Sequence, residues 1–179
     1  MTERNAQAHC VLTGASSGIG LALAELLLAS GWQVTGVDIA PAAIKGHGQY
    51  RHLVCDLTDA AALRGLCALL DGCAVLGRAQ RLAYAATKSA QIGLARSLAA
   101  ELIVRGITVN VVAPGAVDTP MLRDPKRGAP PQVELPLGRL IDAGEVAAAI
   151  AFFLGAQAGA ITGQTLYVCG GASLGAMPL

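Results

Sequence analysis

Tyr84 and Lys88 stand four residues apart at the start of a long helical run. Four residues are little more than one helical turn, so the two side chains share a face, about 6 Å apart along the axis. A free phenol has a pKa of about 10, too high for a base at neutral pH. A neighbouring ammonium favours the phenolate and lowers that value. Such a pair can take a proton from an alcohol or give one to a carbonyl oxygen. Alone, a Tyr-x-x-x-Lys spacing is common and fits a surface lysine beside a half-buried tyrosine. Its weight comes from what precedes it in the chain.

That preceding feature is the turn Thr13-Gly-Ala-Ser-Ser-Gly-Ile-Gly20, between an apolar run and a helical one. A pyrophosphate is a dense double anion that must come close to backbone. Glycines permit that approach, and a helix N-terminus supplies unpaired N–H groups and the positive end of its dipole. Gly14, Ser16, Ser17, Gly18, Ile19 and Gly20 are therefore the candidate phosphate residues, the serines as added donors. Asp38 lies 18 residues after Gly20, at the end of the next apolar run. A carboxylate there can accept from both hydroxyls of an adenosine ribose and would repel a 2′-phosphate, so NAD is expected in preference to NADP. With a nicotinamide present, proton transfer at Tyr84 would accompany hydride transfer.

These residues need elements to hold them. Cys10–Thr13 reads as a buried first strand, and Ile19–Ser30 as a helix stopped by Gly31. Trp32–Val37 and Arg51–Cys55 read as the second and third strands, with a Pro-, Gly- and His-containing loop between them. Residues 59–70 read as a helix capped near Thr58 or Asp59. Leu82–Arg105 carries Leu94, Leu98 and Leu102 at i, i+4 spacing, beside Ile92, Ala95, Ala99 and Ile103, and Gly106 closes it. Ile107–Val112 is strand-like up to Pro114-Gly115. Residues 119–136 hold five prolines and read as a loop. Asp142 and Glu145 resemble a capping box for a helix reaching Leu154. Gln164–Cys169 is the expected last strand. Strands alternating with helices imply one α/β domain over 1–179, with a parallel sheet covered on both faces.

Composition narrows the function classes. The chain has 179 residues, a formal net charge of +1, 54% hydrophobic and 14% charged residues. No stripe of Lys or Arg suggests nucleic acid or an anionic membrane as partner. Five cysteines without a CxxC pair favour reduced thiols, with neither disulfides nor a metal site. The N-terminus lacks an apolar signal core, and the longest apolar stretch, Val146–Leu154, is too short for a bilayer. A cytoplasmic location is expected.

The segments TGASSGIG at 13–20, CDLTD at 55–59, YAATK at 84–88, NVVAPGAVDTPM at 110–121 and ITGQTLYVCGG at 161–171 together resemble the short-chain dehydrogenase/reductase family. The resemblance implies a doubly wound Rossmann fold of six or seven parallel strands. It implies a nicotinamide-dependent oxidoreductase acting on a secondary alcohol or ketone, assembled as a homodimer or homotetramer. It places Asp56 and Leu57 at the adenine, and Pro114, Gly115, Val117 and Thr119 on the nicotinamide side. Tyr84 becomes the acid/base, and Lys88 a ligand of the ribose hydroxyls as well as a modulator of Tyr84. The segment from Pro114 onward resembles the 2,3-dihydro-2,3-dihydroxybenzoate dehydrogenase branch, which would make the substrate a cyclic dihydrodiol. Arg123, Lys126 and Arg127 would then pair with its carboxylate, or else be solvated charges on a mobile loop.

The chain also departs from the family. Only 27 residues separate Asp56 from Tyr84. A strand–helix–strand unit of roughly 60 residues is missing there, with its Asn-Asn-Ala-Gly turn. The catalytic Ser that the resemblance implies thirteen residues before Tyr84 is replaced by Asp71, and no Ser or Thr lies between Asp59 and Tyr84. The gap fits a natural or spliced short form, an engineered deletion, or a longer chain from which a middle segment is left out. Residues 72–76 would supply a strand where two normally stand. An NAD-binding homologue with impaired or no catalysis is the alternative, because loss of the Ser donor would cost transition-state stabilisation.

Overall fold

A computed structural model describes residues 8–56, 82–124 and 135–174. It divides into two compact units, 1–69 and 70–179. The helix expected over 59–70, the strand expected at 72–76 and most of the Pro-rich loop lie outside the described residues, as does Leu57.

In the first unit, β1 (His9–Thr13), α1 (Gly18–Ala29), β2 (Gln33–Asp38) and β3 (Tyr50–Val54) follow one another. The three strands form a parallel sheet in the order β1-β2-β3. Leu12, Val34 and Val37 from the strands and Leu23, Ala24 and Leu27 from α1 are buried together as its core. The expected stop of α1 is a Schellman turn. Gly31 sits at φ 82°, its N–H donates to Leu28, and the Trp32 N–H reaches back to Leu27. That closure returns the chain into β2 without a longer loop.

The second unit holds α2 (Leu82–Leu102), β4 (Val111–Pro114), α3 (Ala143–Leu154) and β5 (Thr165–Val168). β4 and β5 pair in parallel and α3 packs on both, a β–α–β arrangement. α2 tightens into a 3-10 turn at Ile103–Arg105 and ends at Gly106, which has φ 72°. Its buried positions are Ala95 and Ala99, whereas Leu94 and Leu98 are 55% and 37% exposed. Of the expected broad apolar face the alanines are thus the buried members, and Leu94 and Leu98 are exposed.

Five strands are present among the described residues, fewer than the six or seven expected. Strand β4 begins at Val111 rather than Ile107. Side chains satisfy the preceding backbone: the Val109 N–H donates to Thr162 Oγ1, and Asn110 donates to the Ile161 carbonyl while accepting from Gln164 N–H. β-Branched composition made this stretch look like strand, and side-chain bonding to the distant 161–164 segment overrode it. Cys10, Cys55 and Cys169 are free thiols. No helix among the described residues is long and apolar enough to cross a membrane.

The capping box at α3 is present. The Gly144 N–H donates to Asp142 Oδ1 at 2.7 Å, and the Asp142 N–H donates to Glu145 Oε2 at 2.9 Å. Arg139 grips the same carboxylate with two nitrogens, each at 2.7 Å. The Arg139 hydrogen bond and the Asp142 N–H hold the Glu145 carboxyl down to about 2. A carboxylate depressed on folding stabilises the native state above its unfolded pKa and loses that effect as pH falls through the folded value. Stability should therefore decline between about pH 4.5 and about pH 2 through this group. Glu145→Gln should flatten that part of the acid titration, measured as urea midpoint against pH. An unchanged slope would contradict the assignment.

Candidate active site

In the first unit the candidate residues gather at the turn between β1 and α1. Gly14 (φ 68°) and Gly18 (φ 53°) occupy the left-handed region, which glycine enters without a Cβ clash. The Gly14 N–H continues the β1–β2 ladder by donating to the Val37 carbonyl at 2.9 Å. A Cβ on Gly20 would lie 2.0 Å from the Gly14 oxygen, so α1 starts directly against the turn. Ser17 is the N-cap in extended conformation. Its side chain makes no cap hydrogen bond, and the first turn of α1 has no acidic residue. The helix thus presents backbone N–H groups and its positive dipole end beside glycines, a donor set that suits a pyrophosphate.

Asp38 ends β2 beside this turn. Its Oδ2 accepts the Ser16 N–H and its Oδ1 the Ala40 N–H, both at 2.9 Å. Partial desolvation opposes ionisation, but the N–H groups of Ala40, Ser16 and Ile39 and the Ser16 hydroxyl outweigh it and hold the carboxyl below its ordinary range. Asp38 is therefore an ionised anchor between the ends of two strands. Asp56 is exposed just beyond β3.

The remaining expected residues among those described belong to the second unit. Tyr84 and Lys88 both fall on α2, one turn apart, and Lys88 is half-buried. Pro114 is the buried last residue of β4, and Gly115 follows, donating its N–H to the Val168 carbonyl. A Cβ on Gly115 would meet the Cys169 Cα and carbonyl oxygen at 2.9 Å, so close backbone approach requires glycine there. Val117 is buried and bridges Ile141. Thr119 caps a short turn, accepting from the N–H groups of Leu122 and Arg123. Arg123, expected either beside a substrate carboxylate or as a solvated loop charge, is exposed and ion-paired. Asp118 already holds it through two hydrogen bonds, at 2.6 and 2.5 Å. Lys126 and Arg127 lie outside the described residues.

Sequence reasoning missed two features. One is the Asp118–Arg123 pair. The other is a cluster of Gly36, Tyr50 and His52 beside Asp38, for which the only signal was a glycine inside a strand.

Residues 68–173, more than half of the chain, match the profile of a protein family described as enoyl-(acyl carrier protein) reductase. The chain belongs to the short-chain dehydrogenase/reductase family. Among curated proteins, the 3-oxoacyl-[acyl-carrier-protein] reductase FabG of Salmonella typhimurium is 49% identical over 100 residues, which is 54% of this chain and 40% of that protein. The chain thus aligns with about two fifths of that relative's length. A solved oxidoreductase of the family from Burkholderia thailandensis is 27% identical with a TM-score of 0.78, covering 96% of this chain and 94% of that one. A 4-hydroxyisoleucine dehydrogenase solved with NADH has a TM-score of 0.84 at 18% identity, over 95% of this chain and 100% of that one. The fold of this α/β chain is Rossmann-like.

Glycine requirements in the turn can be ranked. Gly20→Ala drives a Cβ into backbone, whereas Gly14→Ala meets open space and only the strain of a positive φ. Gly20→Ala should cost about 2 kcal/mol and Gly14→Ala about 1 kcal/mol, read from urea unfolding. Equal costs, or the reverse order, would contradict the packing described for Gly20.

Proposed function

We propose that this chain is an NAD(P)-dependent oxidoreductase that moves a hydride between nicotinamide and a secondary alcohol or ketone, with NAD preferred. The observation that carries the proposal is the glycine turn at the bare N-terminus of α1, with Asp38 ionised at its side. Family membership supports it independently.

In this reading Gly14, Ser16, Ser17, Gly18, Ile19 and Gly20 hold the pyrophosphate, and Asp38 holds the adenosine ribose. Asp56 and Leu57 flank the adenine. Pro114, Gly115, Val117 and Thr119 border the nicotinamide, where Gly115 and Val117 also serve packing. The nicotinamide, when bound, supplies the hydride acceptor or donor. Lys88 favours the Tyr84 phenolate from one turn away and can also bind ribose hydroxyls. Tyr84 takes the proton of an alcohol or returns one to a ketone oxygen. The reading keeps 1–179 as a single dinucleotide-binding chain, and the exposed Leu94 and Leu98 favour a homodimer or homotetramer. A cytoplasmic setting accords with the reduced thiols.

The acyl-carrier-protein reductases among the relatives favour a ketone in an acyl chain over the cyclic dihydrodiol of the narrower branch. One sequence observation favours a second reading, binding without turnover: no Ser or Thr lies between Asp59 and Tyr84 to assist the tyrosine.

Nicotinamide absorbance, followed with a panel of ketones and secondary alcohols, separates the readings. Tyr84→Phe should lower kcat at least about a hundredfold with dinucleotide affinity unchanged. Turnover that survives this change would remove Tyr84 from the chemistry. Dinucleotide binding with no turnover on any substrate would establish the second reading. For the cofactor, NAD should bind at least about tenfold more tightly than NADP, and Asp38→Asn should narrow that ratio. A wild-type preference for NADP would overturn the role given to Asp38.

A further inference from the structure

Behind Asp38 lies a chain of hydrogen bonds that the proposed chemistry does not use. His52, on β3, is in register with Gly36 of β2. Its Nε2 lies 3.0 Å from the Ala40 carbonyl oxygen, and its Nδ1 lies 2.9 Å from the Tyr50 hydroxyl. A carbonyl only accepts, so Nε2 carries the proton. In the neutral ring Nδ1 then accepts from the Tyr50 O–H. Ala40 in turn donates its N–H to Asp38 Oδ1, and Asp38 Oδ2 accepts the Ser16 N–H. The Ser16 hydroxyl also reaches the Ala40 carbonyl, at the longer distance of 3.4 Å. A continuous path therefore runs from Tyr50 through His52 and the 38–40 turn into the glycine turn.

Gly36 makes the arrangement possible. A Cβ there would lie 2.2 Å from the Tyr50 hydroxyl oxygen and 2.8 Å from the Ala15 Cβ. The missing side chain is the space in which Tyr50 lies against β2, close enough to reach His52. Tyr50 and His52 are both half-buried, with ring centroids 6.0 Å apart.

We propose that Tyr50 and His52 are positioning residues that fix the Ala40 carbonyl, and through it the Asp38 carboxylate, in the orientation that discriminates NAD from NADP. The proposal rests on the cofactor reading above. Neither residue needs to touch the dinucleotide. Without His52, the Ala40 carbonyl retains only the long Ser16 hydroxyl contact. The 38–40 turn loosens, and Asp38 loses its preset orientation before the ribose arrives. A glutamine at position 52 can still donate from its Nε2 to the Ala40 carbonyl, whereas a leucine cannot.

The test compares wild type, His52→Leu, His52→Gln and Tyr50→Phe in the full chain. Amide exchange at Ala40 and Ser16, measured without dinucleotide, should quicken about tenfold in His52→Leu and return toward wild type in His52→Gln. Calorimetry with NAD and NADP should show the NAD-to-NADP affinity ratio falling about fivefold in His52→Leu and recovering in His52→Gln. Tyr50→Phe, which leaves the ring unanchored at Nδ1, should fall between them. Unchanged exchange and an unchanged ratio in His52→Leu, at an unchanged Tm, would overturn the role of His52. Losses in His52→Gln equal to those in His52→Leu would overturn the donor argument. A wild-type chain that binds neither dinucleotide would overturn the cofactor reading itself. That failure appears in wild type, whereas failure of the positioning role appears only in the variants.

Discussion

Two backbone N–H groups converge on one carboxylate, and the end of the sheet that carries the glycine turn depends on it. Asp38 ends β2, Ser16 belongs to the turn that leaves β1, and Ala40 opens the next loop. Parallel strands bring these ends to the same edge of the sheet, so a single side chain can hold both turns. Bonded at both oxygens, the carboxylate stays ionised below its ordinary range. An ionised group in that position is what separates a ribose from a phosphorylated ribose. The interaction that shapes the turn and the one that would read the ligand are thus one interaction.

The glycine turn depends on the same closeness. Gly20 lies so near the Gly14 carbonyl that α1 begins with no spacer, and Ser17 leaves the first turn of the helix uncapped by its side chain. Uncapped N–H groups cost stability unless water or a ligand satisfies them. Binding sites commonly retain groups of this kind, because a capping side chain would occupy the place of the anion.

Much of this was legible in the residue order. Glycine at 31 and 106 stops helices where a left-handed residue is needed, and Asp142 with Glu145 starts one through reciprocal bonds. These are local signals, carried by residues within a few positions of each other. What stayed hidden depends on distance. The strand signal of Ile107–Asn110 was outweighed by partners more than fifty positions away, at Ile161 to Gln164. The broad apolar face expected on α2 is buried at Ala95 and Ala99, while its members Leu94 and Leu98 are exposed. The Tyr50–His52–Ala40 path joins β3 to the turn after β2, and nothing in the local sequence except Gly36 hinted at it. The partner of Arg123, Asp118, sits five residues earlier in a turn whose geometry no pattern reveals.

If the chain binds as proposed, the turn from Gly14 to Gly20 receives the pyrophosphate of NAD. Amide hydrogen exchange across residues 14–20, with and without NAD, addresses it most directly. With NAD, exchange should slow at the N–H groups of this turn and of the start of α1, centred on Ser16 to Gly20, with little change over α3. Exchange over 14–20 that is the same with and without saturating NAD would contradict it.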